Sequence, residues 1–195
     1  LTGINGSGKT TFFNIIDALL SADIKRLKLY NIEAEVTIDD ILVSFRKDST
    51  LASVRQKLAG VNYLKISTFD VPIRDRRKMG KEDSPLLSEL IEIDPMTNQL
   101  VFRDGNEIIH LYKLSSGEKQ LLIILLRVFL MDEQPYILLM DEPEISLHIE
   151  WQYRLFEEIQ KLNPHCQIIT STHSPSLFGD GWGDKLVFIE DLLIH

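Results

Sequence analysis

Eight residues near the start of the chain, Gly3-Ile4-Asn5-Gly6-Ser7-Gly8-Lys9-Thr10, read G-x-x-x-x-G-K-[ST], and no other stretch constrains the fold so tightly. Glycines at this spacing let the backbone wrap closely around a bound group, with successive N–H groups turned inward at the start of a helix. The continuation agrees. Phe12, Ile15, Ile16, Leu19 and Leu20 recur at helical spacing, so the loop opens a helix with one buried face. The groups such a loop holds are phosphates: Lys9 would reach the β- and γ-phosphates of a nucleotide, and Thr10 would put its hydroxyl on Mg²⁺. Gly3, Asn5, Gly6, Ser7, Gly8, Lys9, Thr10 and Thr11 are therefore the first candidate binding residues. A loop of this kind normally follows a buried strand, and here only Leu1 and Thr2 precede it. The chain also lacks an initial Met, which points to a fragment cut just before its own first motif.

Beyond that helix, residues 27–38 alternate (Leu27, Leu29; Ile32, Ala34, Val36, Ile38) and 41–45 are strand-like. Asp39-Asp40 reads as the turn of an antiparallel pair. A helix is expected over 51–59, a strand over 61–71 ending at Pro72, a polar loop over 74–84 and a short helix over 85–91. Residues 100–112 read as a hairpin around Asp104-Gly105. The remainder is regular. Residues 116–131 are a helix apolar nearly all round, 136–140 a strand covered on both faces, and 147–162 an amphipathic helix whose stripe is Trp151, Leu155, Phe156, Ile159 and Leu162. Further buried strands are expected over 167–171 and 186–189. Strands alternating with helices indicate α/β architecture with a mostly parallel central sheet, to which 25–113 add an antiparallel β subdomain.

At 195 residues the chain suits one domain. We divide it into 1–24 (loop and first helix), 25–113 (a variable β/α lobe) and 114–195 (the remaining motifs). Its single cysteine, Cys166, excludes an internal disulfide and is consistent with a reducing cytoplasm. The longest apolar run, 121–131, is broken by Arg127 and falls short of the roughly 20 residues that span a bilayer, so no membrane association is expected. A net charge of −8 argues against a uniformly basic nucleic-acid binder, but charge is unevenly spread. Arg74, Arg76, Arg77, Lys78 and Lys81 cluster against Asp75 alone, a candidate DNA contact. Residues 131–150 instead carry six carboxylates and no Lys or Arg.

Two of those carboxylates close the apolar strand: Tyr136-Ile137-Leu138-Leu139-Met140-Asp141-Glu142-Pro143. Uncompensated charge at the end of a buried strand is costly, which stability alone does not explain. Asp141 would hold Mg²⁺ opposite Thr10, and Glu142 would polarise an attacking water. Leu114-Ser115-Ser116-Gly117-Glu118-Lys119-Gln120 begins the apolar helix; Ser115 and Glu118 form a capping-box pattern, and small hydroxyl and glycine residues there make a second anion site. Thr170-Ser171-Thr172-His173-Ser174-Pro175 puts a histidine among hydroxyls at a strand's carboxyl end, where ligands of open α/β sheets collect. His173 would contact the γ-phosphate or position the water. Glu144-Ile145-Ser146-Leu147-His148 reads as a turn with Ser146 capping the next helix.

The order and spacing of these motifs resemble an ATP-binding-cassette ATPase head, a P-loop NTPase. Gly3 to Thr10 matches Walker A, Leu114 to Glu118 the LSGGQ-type signature, Ile137 to Glu142 Walker B, and His173 the H-loop histidine. LSSGEKQ, DEPEISLH and STHSP are most similar to the RecF/SMC-like and OLD-like branch of bacterial AAA-family ATPases. The resemblance covers the two ends of the chain and only loosely the hundred residues between. No glutamine stands at the Q-loop position, where Thr68 or Asp70 would substitute; His148 stands near the usual D-loop aspartate, and Ser116 and Glu118 replace the usual Gly and Gln.

The resemblance implies ATP and Mg²⁺ as cofactors, Glu142 and His173 as catalytic residues, and Thr10 and Asp141 as metal ligands. It also implies an ATP-dependent homodimer in which Ser115, Ser116 and Gly117 of one copy close on the γ-phosphate held by Lys9 of the other. The expected function is ATP hydrolysis coupled to head-to-tail dimerisation, controlling DNA or an effector partner such as a nuclease domain, as in repair or phage defence. The alternatives are an energising subunit of a transporter and a non-hydrolysing nucleotide-sensing scaffold.

Overall fold

The computed structural model describes residues 1–3, 8–67, 91–96, 98, 100–104 and 107–192. Helix α1 (Lys9–Leu20) leads to α2 (Ile24–Leu29), then to an antiparallel pair, β1 (Ala34–Ile38) and β2 (Ile41–Phe45), and to α3 (Leu51–Lys57). Strand β3 (Tyr63–Ser67) begins the central sheet. After it come β4 (Ile91–Ile93), β5 (Leu100–Asp104) and β6 (Glu107–His110), an antiparallel three-stranded sheet. Helix α4 (Ser116–Phe129), strand β7 (Tyr136–Asp141), helix α5 (Ile149–Leu162) and strand β8 (Cys166–Ser171) complete the alternating part. The order in the central sheet is β3-β7-β8, all parallel, with Ser67, Asp141 and Ser171 aligned at the carboxyl edge.

The sheet does not stop at β8. The Leu1 amino group donates to the Thr170 carbonyl (2.6 Å), and the Thr172 N–H donates to the Leu1 carbonyl (3.1 Å). Thr2 in turn forms a parallel bridge with Phe188. Leu1 to Gly3 thus lie beside β8, and the chain enters its first loop from the same sheet edge at which β3, β7 and β8 end.

Strand β7 is the axis of the core, and its period of two decides which side chains go where. Ile137 and Leu139 point into a cluster with Phe13, Leu19, Leu27, Val43, Phe45 and Val54, joining the sheet to α1, α2, β2 and α3. Leu138 and Met140 point the other way, into a cluster with Ile66, Ile124, Val128, Leu155, Phe156 and Ile159 under α4 and α5. A continuous apolar run is what a strand covered on both faces requires.

Several sequence expectations change. Leu27 and Leu29 belong to helix α2, which Asp23 starts by accepting the Arg26 N–H (3.1 Å); two alternating leucines do not distinguish a strand from a short capped helix. Residues 186–189 form no buried strand: they make a single bridge, Val187 and Phe188 are exposed, and Ile189 opens a short helix, Ile189–Leu192. Helix α4 ends at Phe129; from Gln120 onward its residues are buried or half-buried, as expected, and exposure is confined to its first turn and to Leu130 just past its end. Helix α5 starts after His148, not after a capping Ser146; Ser146 is held at φ 71. The expected loop over 74–84, all of the expected helix over 85–91 except Ile91, the Q-loop positions Thr68 and Asp70, and Gly105 lie outside the described residues; Ile91 opens strand β4 rather than closing a helix. Among the described residues no helix is long and apolar enough to cross a membrane.

Candidate active site

Helix α1 begins with a glycine for a conformational reason. Gly8 stands at φ 96, a left-handed backbone that side chains with a β-carbon rarely adopt, and it turns the chain into the first helical residue. That residue is Lys9, only 6% exposed, whose ammonium folds back and donates to the Gly3 carbonyl (2.7 Å). The lysine therefore spans its own loop. Thr10 and Thr11 follow on the first turn and are exposed. Asn5, Gly6 and Ser7 lie outside the described residues.

Across the carboxyl edge the remaining groups fall into register. Asp141 ends β7 beside Ser171 of β8, and the Ser171 hydroxyl donates to the Asp141 carboxylate. The next residue, Glu142, donates its N–H to the Ser171 carbonyl (3.0 Å) and has φ 48. A non-glycine residue costs about 1–3 kcal/mol in such a conformation, and residues so held cluster at working sites. Its Oε1 lies 3.5 Å from His173 Nε2, with both side chains more than a third exposed. Neighbouring strands are about 4.8 Å apart. Leu1 to Gly3, Thr172-His173 and Asp141-Glu142 consequently end side by side, two strand spacings from first to last.

The signature segment is built differently. Ser115 caps α4 with a complete capping box: its hydroxyl accepts the Glu118 N–H (3.3 Å), and the Glu118 carboxylate accepts the Ser115 N–H (2.7 Å). These bonds hold the Glu118 carboxyl below its ordinary range, the side-chain bond to Ser115 foremost. Ser115 and Ser116 are exposed, while Gly117 is buried against the Ser146 carbonyl of the same chain. Lys9, Asp141, Glu142 and His173 are thus brought to one sheet edge, whereas Ser115 and Ser116 face outward at the start of α4.

The sequence reading missed Glu144. Its Oε1 accepts both the Thr172 hydroxyl (2.6 Å) and the His173 N–H (2.9 Å). The signal was present: a second carboxylate two residues past Glu142, and a Thr-His pair past the end of a neighbouring strand. Only the register of β7 with β8 joins them.

Asp141 and Thr10 offer a carboxylate and a hydroxyl, the hard oxygen donors that magnesium takes. Among the described residues no three His, Cys, Asp or Glu side chains gather to hold an ion. Mg²⁺ needs no such cage, being bound through one or two carboxylates together with substrate phosphates; Asp141 and Thr10 are the residues that would hold it.

A parallel α/β sheet with a glycine-turned lysine at the start of its first helix has the architecture of a P-loop NTPase fold. The chain belongs to the family described as AAA domain, putative AbiEii toxin, Type IV TA system, which matches residues 28–179. It is similar to the Retron Vc95 probable ATPase of Vibrio cholerae serotype O1 biovar El Tor, at 25% identity over 146 residues, covering 67% of this chain and 28% of that protein. It is also similar to the phosphate import ATP-binding protein PstB of Desulfitobacterium hafniense (strain Y51), at 27% identity over 184 residues, 89% of this chain and 66% of that protein. A third relative, an uncharacterised protein of Dictyostelium discoideum, is 35% identical over 92 residues, 44% of this chain and 12% of that protein. The chain therefore spans less than two thirds of the length of each of these relatives.

Proposed function

We propose that this is an ATP-binding-cassette-type ATPase of the RecF/SMC-like and OLD-like branch, in which Mg-dependent ATP hydrolysis is coupled to head-to-tail pairing of two copies. The observation that carries the reading is the pairing of Glu142 with His173 at 3.5 Å, beside the strand end from which the lysine loop departs. In this reading Lys9 leaves the Gly3 carbonyl for the β- and γ-phosphates. Glu142 orients water in line with the γ-phosphorus and receives its proton as the bond to the β–γ bridging oxygen breaks. His173 steadies the γ-phosphate and the attacking water. Thr10 and Asp141 would hold magnesium, which would supply neutralising charge. The exposed Ser115 and Ser116, with the adjoining Gly117 backbone, offer an anion-binding helix start to a phosphate on a second copy, since they lie on the outside of their own.

The experiment is Glu142→Gln with and without Mg-ATP. The expected outcome is turnover lowered at least about a hundredfold with ATP still bound, and a monomer that becomes a dimer only with nucleotide. Undiminished turnover removes Glu142 from the chemistry; a monomer at saturating ATP removes the pairing.

The output of the switch is DNA, met through the basic run Arg74, Arg76, Arg77, Lys78 and Lys81, which lies outside the described residues, or else an effector protein such as a nuclease domain. DNA affinity falling steeply with salt, and lost on replacing Arg76 and Arg77, supports this; salt-independent or absent binding removes it. The similarity to PstB favours a second reading, the energising subunit of a transporter. Stable co-purification with an integral membrane protein decides for it.

A further inference from the structure

We propose that Glu144 is a positioning residue of this site: its carboxylate clamps the Thr172–His173 turn and thereby holds the His173 ring against Glu142. The proposal rests on the hydrolysis reading above and adds to it a residue that no motif assigned.

The geometry is specific. Glu144 Oε1 receives two donors at once, the hydroxyl of Thr172, which is 2% exposed, and the backbone N–H of His173. The Thr172 hydroxyl is itself aimed, because it accepts the Ser174 N–H (2.9 Å) and so has its proton free for Glu144. A chain of bonds from Ser174 through Thr172 to Glu144 leaves the turn one arrangement. Charge-assisted bonds of this kind are about twice as strong as neutral ones. The same stretch reaches that turn by a second route: Gln152 donates to the carbonyls of Leu147 (2.9 Å) and Glu144 (3.4 Å), and its side-chain oxygen accepts the Ser174 hydroxyl (2.6 Å). Residues 172–174 are tied twice to the segment that follows β7.

A purely stabilising role does not account for the carboxylate. The other oxygen, Oε2, is buried and has no hydrogen-bond partner among the described residues. An unpartnered buried acceptor is costly, and selection for stability alone favours a side chain without one. The carboxylate does what a neutral side chain does less well: it holds simultaneously the hydroxyl of Thr172 and the amide of His173, a member of the catalytic pair. Glu144 also stands between Glu142 at φ 48 and Ser146 at φ 71, so its backbone is fixed by the turn it occupies.

The test compares Glu144→Ala, Glu144→Gln, His173→Ala and the Glu144→Ala/His173→Ala double variant in the full chain, with two readouts. The first is hydrogen exchange at the His173 amide, which needs no turnover. The acceptor of this amide is Glu144 Oε1; about tenfold faster exchange is expected in Glu144→Ala. The second is ATPase kinetics. Glu144→Ala is expected to lower kcat about tenfold or more with KM for ATP unchanged, Glu144→Gln to lose less, and the double variant to be no slower than His173→Ala alone. Unchanged amide exchange overturns the clamp, and losses that multiply in the double variant overturn its action through His173. If Glu144→Ala does not fold, Glu144→Gln decides: a lowered kcat with an undisturbed His173 amide overturns the proposal. A wild-type chain that binds ATP without turning it over overturns the hydrolysis reading instead, and the amide measurement still decides the clamp.

Discussion

Gly117 lies so close to Ser146 that a β-carbon at Gly117 would collide with the Ser146 carbonyl oxygen. The signature helix is thereby fastened to the turn that carries Glu142 and Glu144, within one chain. The obstacle is backbone, not the far end of a flexible side chain, so it cannot swing aside. Gly117→Ala is expected to destabilise the fold by about 1–3 kcal/mol, the usual cost of overpacking, and to shift the Glu142 turn. Thermal unfolding checks the first effect and ATP turnover the second; an unchanged melting temperature refutes the close contact.

Asp17 is a buried carboxylate on α1 between two cations, Arg26 on α2 (2.8 Å) and Lys65 on β3 (3.2 Å), and Lys65 also reaches Asn14 (3.2 Å). This places the helix behind the lysine loop against the strand that ends at Ser67. Removing the carboxylate leaves two positive charges facing each other. Because the Arg26 and Lys65 side chains are 36% and 26% exposed, water screens part of the loss. Asp17→Ala is expected to cost about 2 kcal/mol, below the figure for a fully buried pair. Denaturant unfolding measures it, and a cost under a few tenths would assign α1 to apolar packing alone.

Local chemistry was legible in the sequence wherever it was decided locally. The capping box of Ser115 and Glu118, the Asp39-Asp40 turn and the strand end at Asp141 were all readable, because each depends on residues within one turn or one strand. The convergence of Lys9, Glu142 and His173 on one edge was readable for a second reason: a parallel sheet forces strand ends together. What could not be read depends on register between distant segments. Glu144 meets Thr172 only because β7 and β8 align Asp141 with Ser171, and Gly117 meets Ser146 only because α4 packs beside α5. Helix α2 was misread because six residues hold too few apolar positions to separate a period of 3.6 from one of 2.

Glu118 gives the signature helix a pH dependence of known sign. The Ser115 hydroxyl and amide hold its carboxyl below the ordinary 4.5. A carboxylate whose folded value is depressed contributes stability that is complete above the unfolded value and is lost as pH falls through the folded one. Acidification below about 4.5 is therefore expected to fray the first turn of α4, visible as lowered amide protection there once the slower intrinsic exchange in acid is divided out. In a carboxyl titration followed by NMR, Ser115→Ala returns Glu118 towards its ordinary value. A wild-type midpoint at or above 4.5 contradicts the capping box.

Cys166 reports on the opposite side of the sheet. It opens β8, is 7% exposed, and burial pushes its thiol up from 9.0 to about 11, only partly offset by a backbone hydrogen bond from Leu138. The thiolate is the reactive form, so a shift of about two pH units lowers its population about a hundredfold near neutral pH. Iodoacetamide at pH 8 is expected to label the folded chain at least that much more slowly than the chain in denaturant. The same shift makes stability fall with rising pH between about 9 and 11, because the unfolded thiol ionises first; this contribution is whole below 9 and gone once the folded thiol also ionises. Labelling as fast in the folded as in the unfolded chain would mean that the amino end of β8 opens readily, and with it the ladder that sets Ser171 against Asp141.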